Sequence, residues 1–322
     1  LLPEHIHNML PTVVIGGYLG AGKTTLVNHL LRHAQGRRIA VLVNDFGDVN
    51  IDAALIEDTA AGVLSLSGGC LCCSFGDDLV GTLGGLARRD PAPDVCLIEL
   101  SGVALPAAVV ATARLAPAVD VVATLVVADA AHIRSQAADR YVGDTVRAQL
   151  AQAEWVMLNK ADLVDATALQ ETASWLGQGW PQARVWSVAS HAALPGLLTE
   201  LLLGWHANNQ GAHPPGQRSG ALATRPISAL RGGAAEVFES RSFPLSTETD
   251  LALLGAALAA PASGVLRAKG MAGGRLLQVA AGRWSVTHHP GGELQTLVMI
   301  GLRGHMDNQT GLGPPTAARA DL

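Results

Sequence analysis

Eight residues near the start of the chain, Gly17-Tyr18-Leu19-Gly20-Ala21-Gly22-Lys23-Thr24, read G-x-x-x-x-G-K-T. Glycines at this spacing let successive backbone N–H groups curl round phosphate oxygens, and a following helix N-terminus adds positive potential. Lys23 is placed to reach the β- and γ-phosphates of a nucleotide, and the Thr24 hydroxyl to ligate Mg²⁺. The context fits as well as the letters. Val13-Val14-Ile15 before the loop is a short β-branched run, and Thr25-Leu26-Val27-Asn28-His29-Leu30-Leu31 after it has apolar residues at helical spacing.

Three further segments carry polar groups directly after apolar, strand-like runs. Asn44-Asp45-Phe46-Gly47-Asp48 follows Ile39–Val43, and its carboxylates could face Mg²⁺, the attacking water or a second metal, or form a glycine-containing Asx turn. Glu99-Leu100-Ser101-Gly102 follows Val95–Ile98. Glu99 is a candidate second Mg²⁺ anchor, Gly102 a candidate donor to the γ-phosphate, and Ser101 a candidate helix cap. Asn159-Lys160-Ala161-Asp162 follows Trp155–Leu158 and reads N-K-x-D. A carboxylate there accepts two hydrogen bonds from N1–H and N2–H₂ of guanine, a donor pair adenine lacks. At about 1.5–3 kcal/mol for each bond to a charged group, the mismatched base loses about 10²- to 10⁴-fold in affinity. GTP is therefore expected over ATP. Ser187-Val188-Ala189 is a candidate for main-chain N–H groups backing the base.

Cysteines are the other reactive group. Three of the four crowd into Gly68-Gly69-Cys70-Leu71-Cys72-Cys73, and the fourth, Cys96, sits inside an apolar run as a small core residue. Three thiolates suit a soft or borderline metal, with Zn²⁺ the default and Co²⁺ or Fe²⁺ the alternatives. They leave one tetrahedral position for another group, for which Asp45 and His132 are candidates. An incomplete set suits a site that must release its metal. Buried small side chains and a Cys70–Cys73 disulfide are the competing readings.

The elements that must position these groups alternate. Strand-like runs at Val13–Ile15, Ile39–Val43, Val95–Glu99, Val119–Val127, Trp155–Leu158 and Val185–Val188 are separated by helical patterns near Thr24–Arg32, Asp77–Arg88, Pro106–Leu115, Asp144–Gln152, Ala166–Leu176 and Leu194–Leu203. The expected fold is α/β, a mostly parallel doubly wound sheet whose ligands bind beyond the strand carboxyl ends. After a turn-rich stretch comes a smaller α+β unit. Its strands are expected at Val237–Ser242, Gly264–Lys269, Arg275–Ala280, Trp284–Val286 and Thr296–Leu302, with a helix at Ser246–Ala259 capped by Ser or Thr. The expected division is an N-terminal extension at 1–11, a nucleotide domain at 12–205, a linker at 206–233, a C-terminal domain at 234–306 and a disordered tail at 307–322.

Together these segments resemble the CobW-like family of P-loop GTPases, metallochaperones and metal-insertion factors. The resemblance rests on Gly17–Thr25, Asn44–Gly47, Gly69–Cys73, Glu99-x-x-Gly102 and Asn159-Lys160-x-Asp162 in that order, with Gln149-Leu150-Ala151-Gln152-Ala153 before the guanine strand. It implies a P-loop NTPase fold and Mg²⁺-dependent hydrolysis of GTP to GDP, with Lys23, Thr24, Asp45 and Glu99 catalytic. It also implies nucleotide contacts from Gly17, Gly20, Ala21, Gly22, Thr25, Gly102, Asn159, Lys160 and Asp162, and zinc on Cys70, Cys72 and Cys73, delivered to a client metalloprotein. Asp45 stands where the family more often has Glu. The alternative is a metal-responsive GTP-binding switch that transfers nothing; a small-molecule P-loop kinase is a third.

The bulk numbers narrow the partners. A net charge of −5 with 15% charged residues gives no support for nucleic acid or an anionic membrane surface. Apolar runs are broken before the about 18 residues needed to span a bilayer. Leu1 to Pro11 lack the basic-then-apolar pattern of a secretory signal. The clustered thiols point to the reducing cytoplasm, and a homodimer is a candidate assembly.

Overall fold

A computed structural model describes residues 9–34, 36–43, 64–67, 77–188, 238–280, 282–289 and 295–306. The first strand, β1 (Leu10–Gly16), is buried along its whole length and runs into the glycine loop and then α1 (Lys23–Arg32). Next come β2 (Ile39–Val43), β3 (Leu64–Ser67), α2 (Asp77–Ala87), β4 (Val95–Glu99), α3 (Pro106–Ala113), β5 (Val119–Asp129), α4 (Ile133–Ala138), α5 (Gly143–Ala151), β6 (Trp155–Asn159), α6 (Ala166–Gly179) and β7 (Arg184–Ser187). These seven strands form one parallel sheet in the order β3-β2-β4-β1-β5-β6-β7.

Alternation along β1 explains why the sheet is covered on both faces. Val13 and Ile15 point to the core built with Leu26, Val27, Leu30 and Leu31 of α1. Val14 points the other way, to the core built with Leu79, Leu83 and Leu86 of α2 and Val109 and Val110 of α3. Each fully buried aliphatic side chain contributes about 1.5–3 kcal/mol. The register then fixes the site. Ile15 lies opposite Glu99 on one side and Gly16 opposite Val126 on the other, while Asp129 lies opposite Asn159. Every polar group at the end of these strands therefore faces the same carboxyl edge, around the point where the chain switches sides of β1.

A second sheet is antiparallel throughout, in the order β11-β10-β9-β12-β8. Its strands are β8 (Phe238–Pro244), β9 (Val265–Ala272), β10 (Arg275–Ala280), β11 (Arg283–His288) and β12 (Thr296–Leu302), with α7 (Leu251–Ala259) between β8 and β9. One face packs on α7 through Phe243, Leu277, Val279, Leu297 and Met299. From the other, Phe238 and Ile300 join a core with Tyr18, Leu19 and Val126 of the first sheet.

The α/β sheet and the smaller antiparallel unit match expectation; several local details do not. β1 begins at Leu10, earlier than Val13. β3 and α4 were not anticipated: α4 is six residues long, and β3, although Leu64-Ser65-Leu66-Ser67 alternates with period two, is only four. The last helix starts at Leu251 rather than Ser246. Its cap is Asp250, whose Oδ1 accepts from Ala252 N at 3.0 Å and Leu253 N at 3.1 Å. Ser246 instead closes a turn, its Oγ accepting from Glu248 N at 3.1 Å. Ser101 is not a helix cap either: its Oγ accepts from Val103 N at 3.5 Å, and α3 begins only at Pro106. Cys96 is buried as expected, and burial pushes its thiol up to about 12. The helix expected at Leu194–Leu203 and the segments 206–233 and 307–322 lie outside the described residues.

Candidate functional site

The glycine loop fits against its neighbours only because it lacks side chains. Gly17 has φ +132, and a Cβ there would lie 2.1 Å from Val127 O. Gly22 has φ +103, and a Cβ there would lie 2.3 Å from Asn159 Nδ2. Both positions demand glycine on backbone and steric grounds. Gly22 is followed at once by α1, with no side-chain cap and no acid in the first turn. An anion at this end would meet the helix dipole without a competing carboxylate.

Lys23 is buried and its Nζ donates to Gly17 O at 2.9 Å, across the span of the loop. The Thr24 hydroxyl donates to Glu99 Oε1 at 2.7 Å, tying α1 to the end of β4. Glu99 is 1% exposed and Thr24 is half-buried, so the pair offers two hard oxygen donors, the ligand chemistry Mg²⁺ takes. Thr25 points outward on the first turn of α1.

The N-K-x-D segment grips the loop from the other side. Asn159 Nδ2 donates to Ala21 O at 2.8 Å. Lys160 Nζ donates to Gly20 O at 2.7 Å and to Asp129 Oδ2 at 2.8 Å. Lys160 itself has φ +60 and opens a short 3-10 turn, Ala161–Leu163. That turn leaves the Asp162 carboxylate exposed. Of the Ser187-Val188-Ala189 segment, the N–H of Val188 donates to Leu158 O at 2.9 Å and closes the sheet, and Ala189 lies outside the described residues.

Two residues of the site were given no role there from the sequence, although Gln149 belongs to the Gln149–Ala153 stretch of the family resemblance. Asp129 is the first. It ends the apolar run of β5 just as Glu99 ends that of β4, which is the signal that marks it. Burial pushes its carboxyl up, but the hydrogen bond and charge of Lys160, with those of His132, outweigh burial and hold it below the usual carboxylate range. His132, a candidate metal ligand, has its Nδ1 3.1 Å from Asp129 Oδ1. The second is Gln149, a buried amide on α5. Its Nε2 donates to Gly102 O at 3.1 Å and Ala104 O at 2.9 Å, fixing the loop after β4. Gly102 in turn packs on the phosphate loop: a Cβ there would lie 2.3 Å from Leu19 Cδ2. One turn on, Gln152 Oε1 accepts from Ala107 N at 2.8 Å at the start of α3.

The structure thus gathers Gly17, Gly20, Ala21, Gly22, Lys23, Thr24, Glu99, Gly102, Asn159 and Lys160 at one edge of the sheet, with Asp162 beside them. Asp45, Asp48, Cys70, Cys72 and Cys73 lie outside the described residues. Among the described residues, no three His, Cys, Asp or Glu side chains come together to hold a metal.

A family model described as the CobW/HypB/UreG nucleotide-binding domain matches residues 11–186. The chain belongs to this family. The matched stretch runs from β1 into β7, so it contains the whole phosphate loop, Glu99 and Asn159–Asp162, and stops before the second sheet. Among CobW/HypB/UreG relatives, the zinc chaperone CobW of Pseudomonas aeruginosa is 35% identical over 237 residues, 64% of this chain and 62% of that one. The zinc chaperone CobW of a Sinorhizobium species is 34% identical over 189 residues, 50% of this chain and 53% of that one. The zinc-regulated GTPase metalloprotein activator 1 of Schizosaccharomyces pombe is 32% identical over 181 residues, 52% of this chain and 44% of that one. The chain therefore spans 44% to 62% of the length of these three relatives.

Proposed function

We propose that the chain is a GTP-hydrolysing metallochaperone that carries zinc and delivers it to a client metalloprotein. The observation that carries the nucleotide half is the grip of Asn159 and Lys160 on the carbonyls of Ala21 and Gly20. It ties a guanine-reading segment rigidly to a phosphate loop and leaves the Asp162 carboxylate facing outward for the base. Names of relatives that share the matched domain support the zinc half.

In this reading Lys23 neutralises the terminal phosphates, and backbone N–H groups of the loop hold them. Thr24 and Glu99 would hold Mg²⁺, which supplies further charge neutralisation when bound. Gly102 presents its N–H toward the γ-phosphate from a loop pinned by Gln149. A water, oriented by Asp45 or Asp48, attacks the γ-phosphorus as the bond to the β-phosphate oxygen breaks, giving GDP and inorganic phosphate. Cys70, Cys72 and Cys73 take the cargo ion, Zn²⁺ in preference to Co²⁺ or Fe²⁺, in the reducing cytoplasm where such thiols stay free. The chain would act as a nucleotide domain at 12–205 and a C-terminal domain at 234–306.

Binding of GDP and ADP to wild type and Asp162→Ala tests the base assignment. Wild type is expected to prefer GDP by about 10²- to 10⁴-fold and the variant to lose most of that preference. Equal affinity of wild type for the two nucleotides contradicts it.

A further inference from the structure

The second sheet meets the phosphate loop through one row of side chains. Ala280 at the end of β10 pairs with Arg267 of β9 and with Arg283 of β11, and Arg267 pairs with Ile300 of β12. Residues directly opposite one another in an antiparallel sheet project from the same face. That face is the one whose Ile300 packs with Tyr18 and Leu19 of the loop. Ala280 comes so close to Gly20 that a Cβ on Gly20 would lie 2.5 Å from the Cβ of Ala280. Beside it, Arg283 Nη2 lies 3.6 Å from Asp129 Oδ2. The same oxygen accepts from Lys160 Nζ at 2.8 Å, and that ammonium also holds Gly20 O at 2.7 Å. The contacts close a ring: Ala280 on Gly20, Gly20 on Lys160, Lys160 on Asp129, Asp129 on Arg283, and Arg283 paired back to Ala280.

We propose that Arg283 and Ala280 of the second sheet belong to the nucleotide site. Arg283 is a positioning residue: by sharing Asp129 with Lys160 it sets how the N-K-x-D lysine is held over the phosphate loop. Seating of the second sheet and binding of nucleotide are therefore coupled, each strengthening the other. The inference rests on the guanine-nucleotide reading above and adds a regulatory route to it. The matched nucleotide-binding domain ends before the residues that complete its site.

The coupling is tested on the full chain with a fluorescent GDP analogue and with hydrogen exchange of the β10 and β11 amides. Arg283 is half exposed, so Arg283→Ala leaves the core intact. It is expected to weaken nucleotide about two- to fivefold, the upper part of the range for a solvent-screened ion pair, here acting through a shared carboxylate. Arg283→Lys should restore most of the loss, because the contact uses only a cation. Ala280→Leu, which changes no charge, should also weaken nucleotide by crowding Gly20. Nucleotide should slow exchange at Ala280 and Arg283 in wild type and fail to do so in Arg283→Ala. If wild type binds the GDP analogue but either Arg283→Ala binds it equally well or the β10 and β11 amides ignore it, the coupling is overturned. If wild type binds no guanine nucleotide, the base assignment falls and takes the coupling with it, a result the first two outcomes cannot mimic.

Discussion

Lys160 adopts a left-handed backbone, φ +60, which costs a residue with a side chain about 1–2 kcal/mol. Two charge-assisted hydrogen bonds, to Gly20 O and Asp129 Oδ2, offset that cost and explain why the strain persists. Asp129 is the partner that makes the arrangement pH-sensitive. Its carboxyl is held below the ordinary range, so the folded state binds its proton less readily than the unfolded chain. The stabilisation is complete above the unfolded value, near pH 4, and is lost as pH falls through the lower folded value. Asp129→Asn is expected to cost about 2 kcal/mol in urea unfolding at pH 7, with the gap to wild type closing as pH drops below about 4. A gap that stays constant down to pH 2 would remove the ion pair from the account. His132 lies against the same carboxylate, which gives its imidazole a structural partner.

At the scale of elements, α5 matters more than its distance from the nucleotide suggests. Gln149 and Gln152 lie one turn apart, and they hold the loop after β4 and the start of α3. Replacing Gln149 by Leu keeps the bulk but leaves Gly102 O and Ala104 O without that donor, a loss of about 1–3 kcal/mol per buried group. Because that loop is proposed to meet the γ-phosphate, Gln149→Leu should weaken a GTP analogue more than GDP. Equal losses for both nucleotides would place the loop away from the γ-phosphate. Elements of this kind divide by how local their cause is. β2 and β4 were legible to the residue, because unbroken apolar runs are bounded by polar turns at both ends. β3 was not: Leu64-Ser65-Leu66-Ser67 is strand because it pairs with Ala40 to Val43 of β2, a partner no local pattern names. At the last helix the expected Ser or Thr cap gives way to Asp250. The apolar run that must be buried begins only at Leu251, so Asp250 takes the helix and Ser246 the turn.

The whole molecule explains two choices inside the phosphate loop that nucleotide binding leaves open. Tyr18 and Leu19 need not be apolar to cradle phosphate; they are buried in a core that they share with Phe238 and Ile300 of the second sheet. The loop is thus the floor of a nucleotide site and part of the join between two sheets. Its glycines and the N-K-x-D letters could be read from the sequence, since each set is recognisable by residue type and spacing alone, although Asn159 and Lys160 reach Ala21 and Gly20 only in the fold. The contacts of Asp129, Gln149 and Arg283 could not, since each depends on a partner brought in by the fold. We propose that GTP hydrolysis at this loop acts on metal held by Cys70, Cys72 and Cys73. The most direct test is Zn²⁺ affinity of the full chain loaded with a non-hydrolysable GTP analogue against GDP, in wild type and Cys72→Ala. A metallochaperone driven by GTP must show different affinities in the two states, about five-fold or more, with the difference abolished in Cys72→Ala. The same Zn²⁺ affinity with both nucleotides, or a difference that survives Cys72→Ala, would contradict it.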